Sequence, residues 1–406
     1  MSKDKLIPEL RFPEFLEKEG WEIKEVGEIF QVTRGYVLSM TLVKELPTED
    51  YPYPVFSSQT KNNGLAGYYN EYLYEDAITW TTDGANAGDV NYRDGKFYCT
   101  NVCGVLLNEE GIANPCIAEL INSVSKKHVS YVGNPKLMNG VMSKIQIPVP
   151  SIKEQQKIAS CLSSLDEVIS AHSQKLDLLK DHKKGLMQNL FPQEGETVPR
   201  VRFPEFEGDG EWELKPLEEL CKLVRGPFGG ALKKEIFVEE GYAVYEQSHA
   251  IYSDFRYFRY RINEEKYNEL KRFSVRAGDL IMSCSGTMGK FSMIPDDSEP
   301  GVINQALLKL SVRNGNDIFF VKTSLETDTN QRKLLSQSAG GAIKNVVSVS
   351  QIRILELAVP KMREQQKIAS CLSAVDELIT SQQEKIDQLQ QHKKGMMQGL
   401  FPKIND

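Results

Sequence analysis

No stretch of eighteen consecutive apolar residues occurs in this 406-residue chain, so the sequence predicts no membrane-spanning helix. Residues 1–9 also lack the apolar core of a signal peptide. The seven cysteines are scattered, which indicates reduced thiols rather than a disulfide framework. We therefore expect a globular cytoplasmic protein without a membrane partner.

The chain also lacks a surplus of positive charge, since it carries 49 basic and 56 acidic side chains and a net charge of −7. Residues 1–153 hold 15 basic and 20 acidic side chains, whereas residues 199–363 hold 24 basic and 23 acidic ones. Proteins that hold DNA alone normally carry surplus lysine and arginine. If this chain binds DNA, we expect a partner to supply part of the phosphate contact.

Motifs for catalysis are incomplete. Residues 285–291 approach a P-loop but lack its first glycine and its final hydroxyl, and a tight turn between strands explains them better. Residues 134–137 begin with Asn-Pro but lack the proline and aromatic residue with which an amino-methyltransferase holds a flipped base. Residues 22–24 and 213–215 have the Glu-x-Lys spacing of a nuclease metal site, and surface strands explain them better.

A metal site is not expected either. Cys99 and Cys103 lie four apart, with Cys116 and His128 further along the chain. Zinc sites usually have tighter ligand pairs on both sides. The sequence therefore predicts no catalytic residue, no metal and no cofactor bound by this chain itself.

What the chain does contain is a doubled framework. Residues 154–192 and 364–402 match at an offset of 210, with 25 of 39 positions identical and no gap. A second repeat has an offset of 191, where residues 8–15 return as residues 199–206 around Arg-Phe-Pro-Glu-Phe. The segments between the repeats differ widely. Two similar modules with unlike contents suit a protein that recognises two different things in a fixed relative geometry.

The longer repeat predicts two coiled-coil helices. Apolar residues alternate in steps of four and three, which is the spacing of a heptad seam. The predicted seams are Ile158, Leu162, Leu165, Ile169, Leu176 and Leu179 in the first copy, and Ile368, Leu372, Val375, Ile379, Ile386 and Leu389 in the second. Lys183 and Lys393 interrupt the seams at matching places, and we expect them to reach solvent near fraying helix ends. Modules related by a pseudo-twofold axis would pair these helices antiparallel.

The two segments between the repeats carry the candidate DNA-binding residues. Strands are predicted near residues 68–69, 77–80 and 102–107, with polar loops between them. Amide, hydroxyl and basic side chains read base edges, although the same residue types dominate ordinary turns. The basic and aromatic stretch 255–261 fits a phosphate-facing surface, which we favour, or a strand with one wet face. The candidates are Gln59, Lys61, Asn62, Asn63, Thr82 and Asn86, then Arg225, Lys233, Lys234, Gln247, Arg256, Arg259, Arg261, Lys344 and Asn345.

This order of segments resembles the specificity subunits of type I restriction-modification enzymes. The resemblance rests on Pro150 with Glu-Gln-Gln at 154–156, Pro360 with Glu-Gln-Gln at 364–366, Leu-Phe-Pro at 190–192, and both Arg-Phe-Pro-Glu-Phe runs. It covers essentially the whole chain. The resemblance implies an α+β fold, with two globular α/β-type target-recognition domains joined by two long antiparallel coiled-coil helices in a pseudo-twofold tandem repeat.

The resemblance also implies boundaries and partners. We expect target-recognition domains at residues 1–153 and 193–363, and coiled-coil helices at residues 154–192 and 364–406. Such a subunit is not an enzyme: it binds a bipartite target in double-stranded DNA, and its helices set the half-site spacing. Two modification (methyltransferase) subunits would bring S-adenosylmethionine, and two restriction (helicase-nuclease) subunits would bring ATP and Mg²⁺. The alternative from the residues alone is a coiled-coil scaffold whose variable segments bind proteins.

Overall fold

The structure, a computed structural model, describes residues 6–58, 62–228, 230–336 and 349–403. It divides into two compact units: unit 1 is Met1–Gln174 with Gln383–Asp406, and unit 2 is Lys175–Gln382. Each unit therefore contains part of both long repeats. In the described part of the chain, no helix combines the length and the apolar character that crossing a membrane requires.

Unit 1 consists mainly of β-strands and short helices. Its strands are β1 (Glu22–Glu25), β2 (Gln31–Arg34), β3 (Tyr53–Phe56), β4 (Leu65–Tyr69), β5 (Tyr74–Thr81), β6 (Val90–Cys99), β7 (Cys103–Leu107) and β8 (Gln146–Val149). Its helices are α1 (Val26–Ile29), α2 (Pro115–Ser125) and α3 (Asn139–Met142), followed by the long helix α4 (Ile152–Leu190). One sheet has the order β2-β7-β5-β6-β3-β4, and β1 pairs with β8. The three strands predicted from sequence are confirmed as β4, β5 and β7.

Unit 2 has a related plan, in which two four-stranded sheets take the place of the six-stranded sheet of unit 1. Its strands are β9 (Glu213–Pro216), β10 (Cys221–Arg225), β11 (Phe237–Val238), β12 (Tyr242–Tyr245), β13 (Arg261–Ile262), β14 (Leu280–Ser283), β15 (Phe291–Met293), β16 (Gly301–Ile303), β17 (Leu307–Val312) and β18 (Glu356–Val359). Its helices are α5 (Leu217–Leu220), α6 (Gln247–Tyr252), α7 (Glu264–Glu269), α8 (Ile318–Glu326), α9 (Asp328–Ser336) and α10 (Val349–Arg353), followed by α11 (Met362–Leu400). The sheets are β10-β17-β14-β15, β11-β13-β12-β16 and β9-β18.

Two sequence expectations about local structure are confirmed in these elements. Residues 285–291, which approach a P-loop in sequence, lead from β14 into β15, and so they form a turn between strands. The Glu-x-Lys segments at 22–24 and 213–215 lie on β1 and β9, which pair antiparallel with β8 and β18. The pairing Glu22 to Val149 becomes Glu213 to Val359, so one partner follows the offset of 191 and the other follows 210.

A buried ion pair joins the two repeats within each unit. In unit 1 the Arg11 guanidinium donates from Nε to Oε1 of Glu154 at 2.7 Å and from Nη2 to Oε2 at 2.9 Å. Arg202 and Glu364 make the same two contacts in unit 2, at 2.8 and 2.7 Å. All four side chains are more than nine-tenths buried. The hydrogen bond to the glutamate raises the pKa of each arginine. We call each pair the arginine–glutamate clamp.

An exposed ion pair accompanies each clamp. Glu14 lies 3.2 Å from Lys157 in unit 1, and Glu205 lies 3.2 Å from Lys367 in unit 2. Each lysine also lies over the ring of the phenylalanine that follows the clamp arginine, 5.6 and 5.4 Å from the ring centre. These four charged side chains are about half exposed. Water screens such pairs, so we expect them to contribute little to stability.

The glutamine that follows each clamp glutamate connects the long helix to a neighbouring short helix. Gln155 donates to the carbonyl of Pro150 at 2.8 Å and accepts from Asn114 Nδ2 at 2.8 Å. Gln365 donates to a proline carbonyl in the same way and accepts from the Asp317 amide at 2.9 Å. Asn114 and Asp317 are the N-caps of α2 and α8. The Glu-Gln pair thus anchors the start of each long helix. The glutamate binds the clamp arginine, and the glutamine binds the N-cap of the neighbouring short helix.

The predicted seam residues lie along α4 and α11, and all twelve are buried or half-buried. Ile158, Leu162, Ile368 and Leu372 are each at most 2% exposed. Both helices begin two residues before the expected start, after Pro150 and Pro360. Each helix ends two residues before a proline, Pro192 or Pro402. Proline lacks the backbone N–H that would extend the helix. With 39 residues, each helix is about 58 Å long.

The expectation for the two seam lysines is wrong. Lys183 Nζ lies 2.6 Å from Asp376, and Lys393 Nζ lies 2.8 Å from both carboxylate oxygens of Asp166 and 3.3 Å from Glu119. The lysines are only about one-fifth exposed. Asp166 and Asp376 are themselves equivalent at the offset of 210. Burial alone would lower the pKa of Lys393, but the carboxylates raise it.

These contacts also give the direction of the two long helices in unit 1. In unit 1, Cys161 lies 3.7 Å from Met396, and Asp166, five residues later, pairs with Lys393, three residues earlier. The chains therefore run antiparallel there. The observed α+β content, with two sheet modules and two long antiparallel helices, confirms the expected fold class.

The clamp should matter far more to stability than the exposed pair beside it. Replacing Arg202 with Met leaves the Glu364 carboxylate buried and without its guanidinium partner, while Trp212 Nε1 still donates to it at 3.3 Å. We expect the free energy of unfolding to fall by about 3–5 kcal/mol, measured by urea denaturation. The matched variant Lys367→Met should cost about 0–1 kcal/mol.

The double variant R202M/E364Q tests the cause. Because it removes the unpaired buried charge, it should recover part of the loss caused by R202M alone. Equal losses for R202M and K367M, or no recovery in the double variant, would contradict this assignment.

Candidate nucleic-acid interface

A pair of parallel strands defines an equivalent edge in each unit. In unit 1, β3 runs parallel to β6, and in unit 2, β12 runs parallel to β16. The carboxyl ends of parallel neighbours meet at one edge of a sheet, so the loops that follow them lie close together. In unit 1, Ser57 and Thr100 follow these strands, and their hydroxyl oxygens lie 3.0 Å apart. In unit 2, Glu246 and Asn304 occupy the corresponding positions and line one groove.

The loop after β3 is held in an unusual backbone conformation. Asn62, Asn63 and Gly64 all have positive φ angles, of 51°, 50° and 85°. Asn and Gly tolerate this left-handed region better than other residues do. The Arg93 guanidinium donates to the Asn63 carbonyl at 2.7 Å and to Thr79 Oγ1 at 2.9 Å. The Asn62 and Asn63 side chains remain exposed.

Arg93 is a site residue that sequence reasoning missed. Its guanidinium carbon lies 3.7 Å from the centre of the Phe56 ring, and burial lowers the pKa of Arg93 to about 10. It lines a polar cavity of about 260 Å³ together with Asn63, Asn86 and Asn91. Arg93 and Lys96 are the two basic residues of β6, and nothing in the sequence separates them, so only the fold reveals that Arg93 supports this loop.

The remaining first-block candidates differ in accessibility. Thr82 is buried, and its hydroxyl donates to the Val102 carbonyl at 3.0 Å. Thr82 is therefore poorly placed to contact DNA, contrary to the sequence-based expectation. Asn86 is half-buried and lines the polar cavity. Gln59 and Lys61 lie outside the described residues.

The edge of unit 2 forms an open groove of about 490 Å³. Gln247 and Arg259, both predicted candidates, line it together with Tyr257 and Asn304. Gln247 Oε1 accepts from Ser285 Oγ at 3.0 Å, and its Nε2 donates to the Thr287 carbonyl at 3.3 Å. The turn between β14 and β15 therefore fixes the Gln247 amide at the groove. We call this the reading groove of unit 2.

The three arginines of the basic and aromatic stretch have different environments. Arg261 lies on β13 and pairs with Glu299 at 3.0 Å, an internal contact that lowers the pKa of Glu299. Arg256 is highly exposed but forms a two-point pair with Asp254, at 2.9 and 2.7 Å. Arg259 is exposed, lies over the Tyr260 ring at 4.7 Å and borders the reading groove. Of the three, Arg259 has the position best suited to DNA contact.

Arg225 stands where β10 reaches this edge. Its Nη1 is buried and has no hydrogen-bond partner within the described residues. The next residue, Gly226, passes so close to the Asn304 carbonyl that a Cβ would lie 1.8 Å from that oxygen. Burial raises the pKa of the adjacent Cys284 thiol to about 11, although Arg225 lowers it.

The corresponding Arg34-Gly35 of unit 1 was missed by the sequence reasoning. A Cβ on Gly35 would lie 2.1 Å from the Cys99 carbonyl, so the same close approach recurs. Arg34 is exposed. Arg34-Gly35 and Arg225-Gly226 are 191 positions apart, which is the offset of the shorter repeat. Extending that repeat beyond residues 15 and 206 at the same offset would have found them.

Four further candidates complete the predicted set. Lys233 and Lys234 are exposed and precede β11. Lys344 and Asn345 lie outside the described residues. In the part of the chain that the structure describes, no three His, Cys, Asp or Glu side chains are arranged to hold a metal ion. Burial raises the pKa of Cys103 to about 11, which disfavours the thiolate at neutral pH.

Comparison with known proteins identifies the family. A family model described as the type I restriction modification DNA specificity domain matches residues 18–181 and residues 209–391. The chain belongs to this family. It is therefore a specificity subunit, the non-catalytic member of a restriction-modification system. Each matched range begins three residues after a copy of the shorter repeat and ends in a long helix, so the family match follows the doubling seen in the sequence.

Relatives agree over the whole chain or over one module. A putative type I specificity subunit N-terminus from Mycoplasma pneumoniae is 40% identical over 143 residues, which are 34% of this chain and 75% of that protein. The type I restriction enzyme MjaVIII specificity subunit of Methanocaldococcus jannaschii is 23% identical over 405 residues, with coverage of 94% and 92%.

Solved structures support the same fold. The S subunit of a type I restriction-modification system from M. genitalium aligns with a TM-score of 0.63 at 14% identity, over 98% of this chain and all of that one. A chain from a study of complex assembly and conformational transition of the type I R-M system aligns with a TM-score of 0.56 at 15% identity, over 94% and 98%. At these identities the alignments support fold alone.

Arg93 should control the order of the unit 1 loop. Replacing Arg93 with Met removes both hydrogen bonds and frees the Asn63 carbonyl. Hydrogen bonds from a charged group contribute about 1.5–3 kcal/mol, so we expect amide hydrogen exchange at residues 62–65 to become at least about tenfold faster. The matched control is Lys96→Met on the same strand, where the lysine is exposed. Equal exchange in R93M and K96M would refute this role.

Proposed function

We propose that this chain selects a bipartite DNA target, with one half read at the edge of unit 1 and the other at the edge of unit 2. The observation that supports this most directly is that equivalent strand ends in the two units carry unlike polar residues. Unit 1 offers Asn62 and Asn63, and unit 2 offers Gln247 and Arg259. Asn and Gln match the adenine edge and Arg matches guanine in the major groove.

The target-recognition segments are then residues 1–153 and 193–363, with the helical segments 154–192 and 364–406 between and after them. We further propose that two modification subunits dock on the helices and carry S-adenosylmethionine, and that two restriction subunits carry ATP and Mg²⁺. The net charge of −7 favours such sharing, because a chain with this charge needs help to neutralise phosphates. The cytoplasm, where DNA is accessible, is the expected compartment.

Mapping of methylated adenines tests the proposal. The chain is co-expressed with a cognate modification subunit, and genomic DNA is sequenced by a single-molecule method. We expect one motif with two defined halves and an unread gap. Absent or randomly distributed methylation, or a motif with a single half, would contradict the proposal.

Single substitutions should then assign the halves. Asn63→Asp keeps a residue that tolerates positive φ but replaces an amide donor with an acceptor, and Arg259→Gln removes the guanidinium. Each should relax one half of the motif only, since a good base contact provides about 1–3 kcal/mol of discrimination. The matched controls are Asn70→Asp and Arg313→Gln, which lie beyond strand ends at the opposite edges. Changes in both halves by either test variant would be inconsistent with separate reading.

Helix length is proposed to set the spacing between the half-sites. A seven-residue insertion in α4, with a matching insertion in α11, preserves the heptad seam and adds about 10 Å. We expect the unread gap in the methylation motif to lengthen while both halves stay the same. An unchanged gap in an active complex would rule out this role for the helices.

A further inference from the structure

One groove in unit 2 is basic, although the chain as a whole is acidic. Its volume is about 710 Å³, and it lies among the C-terminal part of α4, the end of the β14–β15 turn, and α8 with α9. Two acidic side chains, Glu326 and Asp328, contribute to it. The basic side chains that line it are Lys180, Lys183, Lys184, Lys290, Lys322 and Arg332. We call this the basic groove.

Half of these cations are engaged by carboxylates. Lys183 pairs with Asp376, Lys322 pairs with Glu326 at 2.8 Å, and Arg332 lies 3.6 Å from Glu194. The other three, Lys180, Lys184 and Lys290, are exposed and make no ion pair with any described residue. Lys180 and Lys184 are four residues apart, so they lie on one face of α4. Three unpaired cations in one concave surface form a site for anions.

The basic groove adjoins the reading groove through a single turn. At one end of the turn, Ser285 and Thr287 contact Gln247 of the reading groove. At the other end, Gly289 accepts from Gln331 Nε2 at 3.0 Å, and Lys290 lines the basic groove. A segment of about seven residues spans at most about 25 Å. One DNA duplex is therefore long enough to touch both grooves.

Unit 1 does not repeat this charge pattern. The long-repeat offset aligns Gln390 with Lys180. Glu119 and Lys322 each lie five residues after the N-cap that contacts the repeat glutamine, so they occupy matching positions on α2 and α8. Glu119 there joins Asp166 around Lys393. At these two positions the groove is therefore more positive than unit 1, although Lys394 repeats Lys184 there.

We infer that the basic groove binds the sugar-phosphate backbone of the duplex whose half-site lies in the reading groove of unit 2. This inference rests on the proposed function. The contact is independent of sequence, because ammonium groups meet phosphates without reading base edges. This contact increases the affinity of an acidic protein for DNA on one side of the target. It also fixes the position of the duplex relative to the reading groove.

The test uses the complex purified with its modification subunits and the triple variant K180Q/K184Q/K290Q. Dissociation constants are measured over a range of salt concentrations, for a duplex with the methylated motif and for a scrambled duplex. Each phosphate contact contributes about 0.9 to the slope of log affinity against log salt. We expect the slope to fall by about 2–3, the affinity for both duplexes to fall at least about tenfold at low salt, and the methylated motif to stay unchanged.

The control removes the same charge elsewhere. The variant K18Q/K175Q/K385Q replaces three exposed lysines outside the groove, and its slope should change much less. An unchanged slope in the groove variant, with the motif intact in the parent complex, would overturn the groove assignment and leave the proposed function standing. Loss of modification subunits from the purified groove variant would assign the groove to an acidic protein segment instead, and would also overturn it.

Discussion

The arginine–glutamate clamp is the interaction on which the rest of this structure depends. Each clamp joins the Arg-Phe-Pro-Glu-Phe segment at the start of a module to the first turns of a long helix at its end. Arg11 and Glu154 are separated by 143 residues, and Arg202 and Glu364 by 162. A buried charge is costly without a partner. The chain between the two residues can therefore vary in length and sequence, provided that both ends return to the same geometry.

This constraint explains why two offsets coexist in one repeat. The second module has 19 more residues between its clamp arginine and glutamate than the first module has. The two clamps nevertheless make the same contacts. The two-stranded sheets follow the same rule, with one strand at each offset. Inside this closed frame, the parallel strand pairs bring loops to one edge in both units. The contacts of the frame recur in both units, whereas the polar side chains at the edge differ between them.

The sequence was sufficient for the frame but only partly for the site. Heptad spacing and doubled motifs predicted the long helices and the fold class, because those patterns depend on local periodicity. It failed where a side chain's role depends on a distant partner. Lys183 was expected in solvent because Asp376 was not known to face it, and Arg261 was expected at the surface although Glu299 holds it. The same reason applies to two further residues. Thr82, expected in a polar loop, is buried, whereas Arg93, on a strand, supports the loop of unit 1.

The two seam lysines carry the argument one step further. Both lysines pair with an aspartate of the other long helix, so the seam tolerates a charge only where it is matched. The charged side chain next to each pair differs between the units: it is Glu119 in unit 1 and Lys322 in unit 2. In unit 1 the extra carboxylate completes the neutralisation of Lys393. In unit 2, Lys322 at the matching position pairs with Glu326 and contributes no carboxylate to Lys183. A position outside the repeats but next to a fixed ion pair can thus alter the surface charge of one unit without disturbing the helix pairing in either.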